Sequence, residues 1–249
     1  MIFIALGAVI FRHPIFQTYV AKRHSQWHLN KATWRRLLAI GIPSSLQIGM
    51  EAGAFALSGI IIGTISVVAQ AAHQIALSCA SFTFMVSLGL AQACSIRTSN
   101  ALGNADWPRI KKIGSSTLLV ALIYGVLCAV GFALLKNWLP LFFTSNAEVL
   151  RLAGVLLLFA AIFQISDSTQ AIGAGLLRGI KDVNLPTILI AIAYWVVGLP
   201  VGYFFATRYN LGAPGLWLGL ILGLTLSSVF LVIRFRGRVV RQLAGLATN

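Results

Sequence analysis

Long apolar segments alternate with short polar ones along most of the chain. Six apolar segments are each long enough for one crossing of a bilayer, and they cover approximately 37–65, 71–96, 113–135, 149–176, 185–206 and 214–233. A spanning helix needs about 20 mainly apolar residues. Irregular backbone cannot face lipid, because its polar groups would find no partners there. The pattern therefore predicts an all-α, polytopic transmembrane helix bundle with six complete spans.

The two ends of the chain follow different patterns. Residues 1–11 are apolar but too short to span, so they are predicted to be the end of a preceding, truncated helix. Residues 12–36 are polar and basic, and they predict a cytoplasmic linker between two bundles. The six-helix lobe is then predicted at 37–233, followed by a basic cytoplasmic tail at 234–249.

The basic residues fall on alternate connections between the predicted spans. By this assignment 16 of the 19 lysines and arginines lie on one side, which the positive-inside rule makes cytoplasmic. The linker and the C-terminus are thus both expected inside, in a multi-pass protein of the plasma (inner) membrane. One false or missed span would destroy this alternation, so the charge pattern also supports the six segments.

Composition narrows the function. The chain is 58% hydrophobic and 10% charged, which favours the lipid bilayer as its surroundings. The net charge of +14 does not predict a nucleic-acid partner, because the basic residues are dispersed between apolar segments. No cofactor and no resident metal are expected, since the three cysteines show no ligand spacing. No nucleophile and base pair stands out either, so an enzyme is not predicted.

Two of the five acidic residues lie deep inside apolar segments. Glu51 follows Arg36 by about 22 Å of helix, and Asp167 precedes Arg178 by about 16 Å, at 1.5 Å per residue. Both are therefore predicted near the middle of the bilayer. A carboxylate there costs roughly 2.5–3.5 kcal/mol, and such residues usually serve ions or protons. The alternative is that each acid stays protonated and only hydrogen-bonds neighbouring helices.

The neighbours of each acid are mostly polar, which predicts that each acid faces a cavity or a partner helix. Helical spacing from each acid, and an aromatic ring that could face a cation, select the candidate lining residues Gln47, Phe55, Phe163, Gln164, Gln170 and Tyr194. His73 is predicted at the outer end of the second span, as an interfacial residue. Glycines four apart, such as Gly198/Gly202 and Gly215/Gly219/Gly223, are predicted to be sites of close helix packing rather than a dimer interface.

Several segments resemble the multidrug and toxin extrusion family, in particular the C-terminal six-helix lobe of its bacterial drug exporters. The resemblance covers the chain from about residue 37 onward. It is carried by IPSSLQIGMEAGAFA at 42–56, AAHQIAL at 71–77, RTSNALGNAD at 97–106, FQISDSTQAIGAGLLRGIKD at 163–182 and AYWVVGLPVGY at 193–203.

The resemblance implies roles for the two acids. Glu51 and Asp167 match a coupling-ion site, where a proton or sodium is exchanged for a drug. Phe163 departs from the family pattern, which often has a tyrosine there that contributes an oxygen to a cation. Sodium binding at Glu51 and Asp167 is therefore less expected than proton binding. The family also has two lobes, so an N-terminal lobe is expected as the missing partner of this chain.

The resulting functional hypothesis is secondary active multidrug efflux. Organic cations or zwitterionic drugs would be antiported against protons or sodium, with this chain supplying one lobe. One alternative is a flippase for a lipid-linked substrate, which predicts basic residues in the cavity for an anionic headgroup. Another is an inactive, non-transporting membrane fragment, in which both acids could be replaced without effect.

Overall fold

The computed structural model describes residues 31–247, and every regular element within them is a helix or a helical turn. Six of the described helices are long and apolar enough to cross a membrane, by length and composition. The predicted all-α bundle with six spans is thereby confirmed for this part of the chain. The helix end predicted at 1–11, and residues 12–30 of the predicted linker, lie outside the described residues.

The helices are numbered in chain order. Their bounds are α1 Lys31–Ile65, α2 Val67–Gly103, α3 Trp107–Leu135, α4 Ala147–Gly179, α5 Asn184–Arg208 and α6 Ala213–Ala247. A short 3₁₀ turn, Leu139–Phe142, lies between α3 and α4. The residues from Ile40 onward form one compact unit, to which the first turns of α1 do not belong.

The helices extend beyond the apolar segments that predicted them. For example, α2 begins at Val67 and ends at Gly103, although its apolar segment covers only 71–96. An apolar run marks the part of a helix suited to hydrocarbon, whereas polar residues at its ends can remain helical in water. Residues 31–36 of the predicted linker are likewise helical, and α6 continues through most of the predicted tail. The cytoplasmic placement of linker and tail stays a prediction.

Polar side chains fix the first turns of three helices. The backbone N–H of Ala69 donates to Ser66 Oγ at 3.0 Å, and that of Arg109 donates to Asp106 Oδ1 at 2.9 Å. Asn146 Oδ1 accepts from two N–H groups at the start of α4. These bonds satisfy N–H groups that have no partner within the helix, and they fix the residue at which each helix begins.

The core of the bundle follows α4, which packs against α2, α3 and α6. Its fully buried side chains are Leu156, Leu157, Ile172, Leu176 and Leu177. Glycines let neighbouring backbones approach closely. An added Cβ at Gly175 would come closer than 3.0 Å to the backbone of Ala91 in α2, and one at Gly125 in α3 would lie 2.9 Å from Ile165 Cα. This central position carries Asp167 into the interior of the bundle.

The predicted packing role of the glycines in the last two helices is confirmed. A Cβ on Gly219 in α6 would come closer than 3.0 Å to the backbone of both Gly198 and Gly202 in α5. Gly215 and Gly223 meet α5 backbone in the same way. The two helices therefore touch through backbone rather than through side chains, as small residues permit in membranes.

Helix α5 changes its winding just before Pro200. Residues Ile192–Gly198 form a π-helical segment between two α-helical parts. A proline has no N–H group to donate to the carbonyl four residues earlier. The helix therefore lacks one backbone hydrogen bond there, and its winding can change. The π segment therefore lies directly before Pro200, and it carries Tyr194.

Candidate functional site

A cavity of about 730 Å³ lies between α1, α2 and α4. Most of its wall is apolar, with small residues of α1 on one side and α2 on the other. Four of the predicted site residues line it: Glu51 and Phe55 from α1, and Phe163 and Asp167 from α4. The structure therefore brings the two mid-span carboxyl groups to one space, although 116 positions separate them in the sequence.

A chain of hydrogen bonds from two other predicted residues holds the carboxyl group of Glu51 in place. Gln170 Nε2 donates to Glu51 Oε1 at 2.9 Å, and Tyr194 Oη donates to Gln170 Oε1 at 3.2 Å. This chain of hydrogen bonds connects α5, α4 and α1. Gln170 and Tyr194 do not line the cavity as predicted; instead they orient the glutamate that does.

Asp167 is 4% exposed, and none of the described residues donates a hydrogen bond to its carboxyl group. The two acids therefore differ, because one carboxyl is anchored by an amide and the other keeps its oxygens for a ligand. A buried carboxylate without a partner is costly, so this group is suited to bind a proton or a cation.

The other three acids have structural places outside the cavity. Asp106 caps α3, and Glu148 lies exposed in the first turn of α4, where a negative charge favours the helix dipole. Asp182, in the turn after α4, is paired with two arginines of α6: Arg234 at 2.9 Å and Arg238 at 3.1 Å. Glu51 and Asp167 are therefore the two acids of the chain that face the cavity.

Two further predicted lining residues lie elsewhere. Gln164 is buried and donates to the hydroxyl group of Thr83 in α2, and Gln47 is buried but does not line the cavity. Spacing alone does not decide which residues line this cavity, because Phe55 and Phe163 also stand four residues from an acid and do line it. A neighbour at that spacing is displaced by about 40–60° around the helix.

Aromatic rings close the cavity around Phe163. Its ring meets Phe55 edge-to-face at 5.8 Å between centroids and meets Trp217 of α6 in the same manner at 5.9 Å. Phe163 is 4% exposed and offers no oxygen. The wall next to Asp167 is thus apolar at this position, as expected from a phenylalanine.

His73 was missed as a site residue. It was predicted at the membrane interface, but it is 1% exposed, lines the cavity, and accepts a hydrogen bond at Nδ1 from Trp217 Nε1 at 3.2 Å. α2 begins at Val67, before its apolar segment, so His73 lies in the second turn of the helix. Its depth in the membrane stays a prediction, whereas its burial follows from contacts with distant parts of the chain.

Six long apolar helices, three of which line a cavity with two carboxyl groups, define a polytopic membrane protein with a buried acidic site. The MatE family model matches residues 43–204. The chain belongs to the MatE family, which confirms the resemblance found in the sequence.

Several curated relatives are similar to this chain. A probable multidrug resistance protein NorM of Xanthomonas axonopodis pv. citri is 37% identical over 212 residues, which are 84% of this chain and 46% of the relative. The corresponding protein of Brucella suis is 35% identical over 95% of this chain and 51% of its own length. Multidrug resistance protein MdtK of Edwardsiella ictaluri is 35% identical over 82% of this chain and 46% of its own length. The chain spans about half the length of these relatives.

Solved structures share the fold. The eukaryotic MATE transporter AtDTX14 superposes with a TM-score of 0.82 at 19% identity, over 94% of this chain and 55% of that one. An outward-facing multidrug resistance MATE family transporter of the MOP superfamily gives a TM-score of 0.81 at 17% identity, over 88% and 49% of the two chains. At these identities the likeness concerns the fold alone.

Proposed function

We propose that this chain supplies one helical bundle of a secondary active multidrug exporter. In this role it antiports organic cations or zwitterionic drugs against protons or sodium, without an enzymatic step or a cofactor. The observation that carries the proposal is the pair of carboxyl groups, Glu51 and Asp167, in one largely apolar cavity. The relatives, which are named as multidrug resistance proteins, support it.

The cavity suits an organic cation in both size and chemistry. Its volume of about 730 Å³ falls within the range of drug-sized pockets, roughly 300–1,000 Å³. Apolar walls accept the hydrocarbon part of a drug, and the carboxylates attract its charge. No lysine or arginine lines the cavity among the described residues, so a phosphate-bearing lipid headgroup would lack a basic partner there.

Exchange follows from competition for the two carboxyl groups. A deprotonated cavity holds the organic cation, and a proton or small cation that arrives from the other side neutralises the acids and releases the drug. Alternating access in such transporters requires a second bundle to rock against. We accordingly propose an N-terminal bundle as the partner, within the plasma (inner) membrane, with the basic connections on the cytoplasmic side.

Protons are the better candidate for the coupling ion. A sodium site built on Asp167 would need further oxygens, because neutral and anionic oxygens replace the water of the ion. The residue one turn earlier on α4 is Phe163, whose ring supplies none. A single proton on each carboxyl group needs no such shell.

Binding of tetraphenylphosphonium to the purified chain tests the proposal. We expect binding to weaken as the pH falls, because protons compete for the carboxylates, and to change little when sodium chloride replaces choline chloride. His73 faces the same cavity and its protonation would act in the same direction. The pH dependence must therefore diminish in Glu51→Gln and Asp167→Asn; a wild-type pH profile in both variants would reject the proposal.

The hydrogen bonds from Gln170 to Glu51 and from Tyr194 to Gln170 give a second prediction. Gln170→Leu removes the donor to the carboxylate, so we expect tetraphenylphosphonium to bind about 3- to 10-fold more weakly, in line with about 1 kcal/mol per net hydrogen bond. Tyr194→Phe removes only the support of Gln170 and should have a smaller effect. The control is Gln74→Leu, which changes an amide that lines the cavity but does not contact Glu51. Equal effects of the Gln170 and Gln74 variants would contradict the positioning role.

A further inference from the structure

A second polar site lies in the cavity, on the part of α2 that faces α1. His73 and Gln70 are three residues apart on α2 and both line the cavity. Each carries a buried polar atom, His73 Nε2 and Gln70 Oε1, that has no hydrogen-bond partner among the described residues. Buried polar groups are nearly always paired in proteins, so two adjacent exceptions in one cavity indicate a ligand.

The hydrogen bond from Trp217 determines what His73 can offer. An indole N–H only donates, so His73 Nδ1 must accept, and the proton of a neutral imidazole then lies on Nε2. His73 Nε2 is consequently a donor, while Gln70 Oε1 is an acceptor. The histidine is 1% exposed and its ring packs edge-to-face on Trp217 at 5.9 Å, which fixes its direction.

Glycines of α1 lie opposite these two side chains. A Cβ on Gly59 would lie 3.6 Å from His73 Nε2, and one on Gly63 would lie 3.4 Å from Gln70 Oε1, which are ordinary contact distances. Both glycines line the cavity. The wall of α1 therefore offers no hydrogen-bonding side chain to this donor and acceptor.

We propose that His73 and Gln70 bind a carboxamide group of the transported compound. A carboxamide presents an acceptor and a donor side by side, which complements the Nε2–H of His73 and the Oε1 of Gln70. Glu51 and Gly59 are eight residues apart on α1, or about 12 Å. The cavity thus selects elongated cations that carry a carboxamide about 12 Å from the charge, and this selectivity rests on the proposed function of Glu51 and Asp167.

Matched probes test this selectivity. The first is a trimethylammonium group joined by a straight alkyl chain to a carboxamide at a reach of about 12 Å. In the second, the carboxamide is replaced by an alkyl group of the same length. Isothermal titration of the purified 249-residue chain is expected to show about tenfold tighter binding of the carboxamide probe, from two hydrogen bonds that the alkyl probe lacks.

Two variants should abolish the preference without removing the cation site. Gly59→Ala places a methyl group opposite His73 at an ordinary contact distance, so the fold is retained while the space is filled. Gln70→Leu removes the acceptor at similar volume. In both we expect the two probes to bind about equally. Gly89→Ala is the control, because Gly89 lies on α2 away from the cavity and a Cβ there meets nothing within 4 Å.

The outcomes separate the two proposals. Equal binding of the two probes to the wild-type chain overturns the carboxamide site, and so does a preference that persists in both variants. Failure of both probes to bind rejects the cation site at Glu51 and Asp167, and the carboxamide site with it. Asp167→Asn should weaken both probes to a similar extent and leave their ratio unchanged.

Discussion

Replacing Asp167 with asparagine is expected to lower proton-driven efflux of a fluorescent cation about 100-fold in cells that express the complete exporter, with this chain and its proposed N-terminal bundle. Loss of one partner from a buried charge interaction costs about 2–5 kcal/mol, which corresponds to a factor of this size. Asparagine has nearly the same shape, so the packing of α4 is retained while the titratable charge is lost. Glu51→Gln should impair efflux strongly for the same reason, and the initial rate of dye loss after energisation measures both effects.

Glu148→Gln is the matched control for this experiment. Glu148 is an acid on the same helix as Asp167, but it lies exposed in the first turn of α4 and outside the cavity. Its replacement should change efflux little. Efflux in the Asp167→Asn and Glu51→Gln variants that equals the wild-type rate at matched protein levels would show that the two acids are only structural, as in the alternative of interhelical hydrogen bonding.

The sequence was sufficient to find these two acids. A carboxyl group within an apolar segment contrasts with everything around it, and just five acids occur in the whole chain. Helix length then gave the depth of Glu51 and Asp167, since the rise per residue is fixed. Depth alone did not show whether both face one cavity, and the structure answers this by placing Glu51 of α1 and Asp167 of α4 in the lining of the same space.

The residues around the acids were harder to predict, because their directions depend on which helix lies opposite. Gln164 and Asp167 are close on α4. Yet the side chain of Gln164 bonds to Thr83 of α2, whereas the side chain of Asp167 faces the cavity. Likewise, Gln170 was expected to face a ligand, but it donates to Glu51 instead. Helical spacing gives the angle between two side chains, whereas the neighbour of each is set by contacts between distant parts of the chain.

His73 shows the same limit more strongly. Its partner Trp217 is 144 positions later in the sequence, so nothing local predicts the hydrogen bond that fixes its ring. Burial of this polar residue depends on contacts such as that of the Trp217 ring of α6 with the imidazole. By contrast, the glycine pattern of α5 and α6 was predictable, because close approach of two membrane helices requires small residues on both of them.

Gly219→Ala is expected to destabilise the bundle by about 3 kcal/mol, at the upper end of the usual range for overpacking. An added Cβ would come closer than 3.0 Å to the backbone of Gly198 and Gly202, and backbone cannot move aside as a flexible side chain can. α5 and α6 would have to separate, which would also disturb the π segment that carries Tyr194. We expect the midpoint of thermal unfolding in detergent to fall by about 10 °C.

Gly237→Ala provides the comparison within the same helix. Gly237 lies on the exposed surface of α6, where a Cβ meets nothing within 4 Å, and alanine is the better helix former by about 1 kcal/mol. This variant should therefore unfold at the wild-type temperature or slightly above it. If Gly219→Ala behaved like Gly237→Ala, the contact of α5 with α6 would have to be looser than the backbone approach of Gly198, Gly202 and Gly219 indicates. The glycine pattern would then reflect adaptation to the membrane rather than close packing of these two helices.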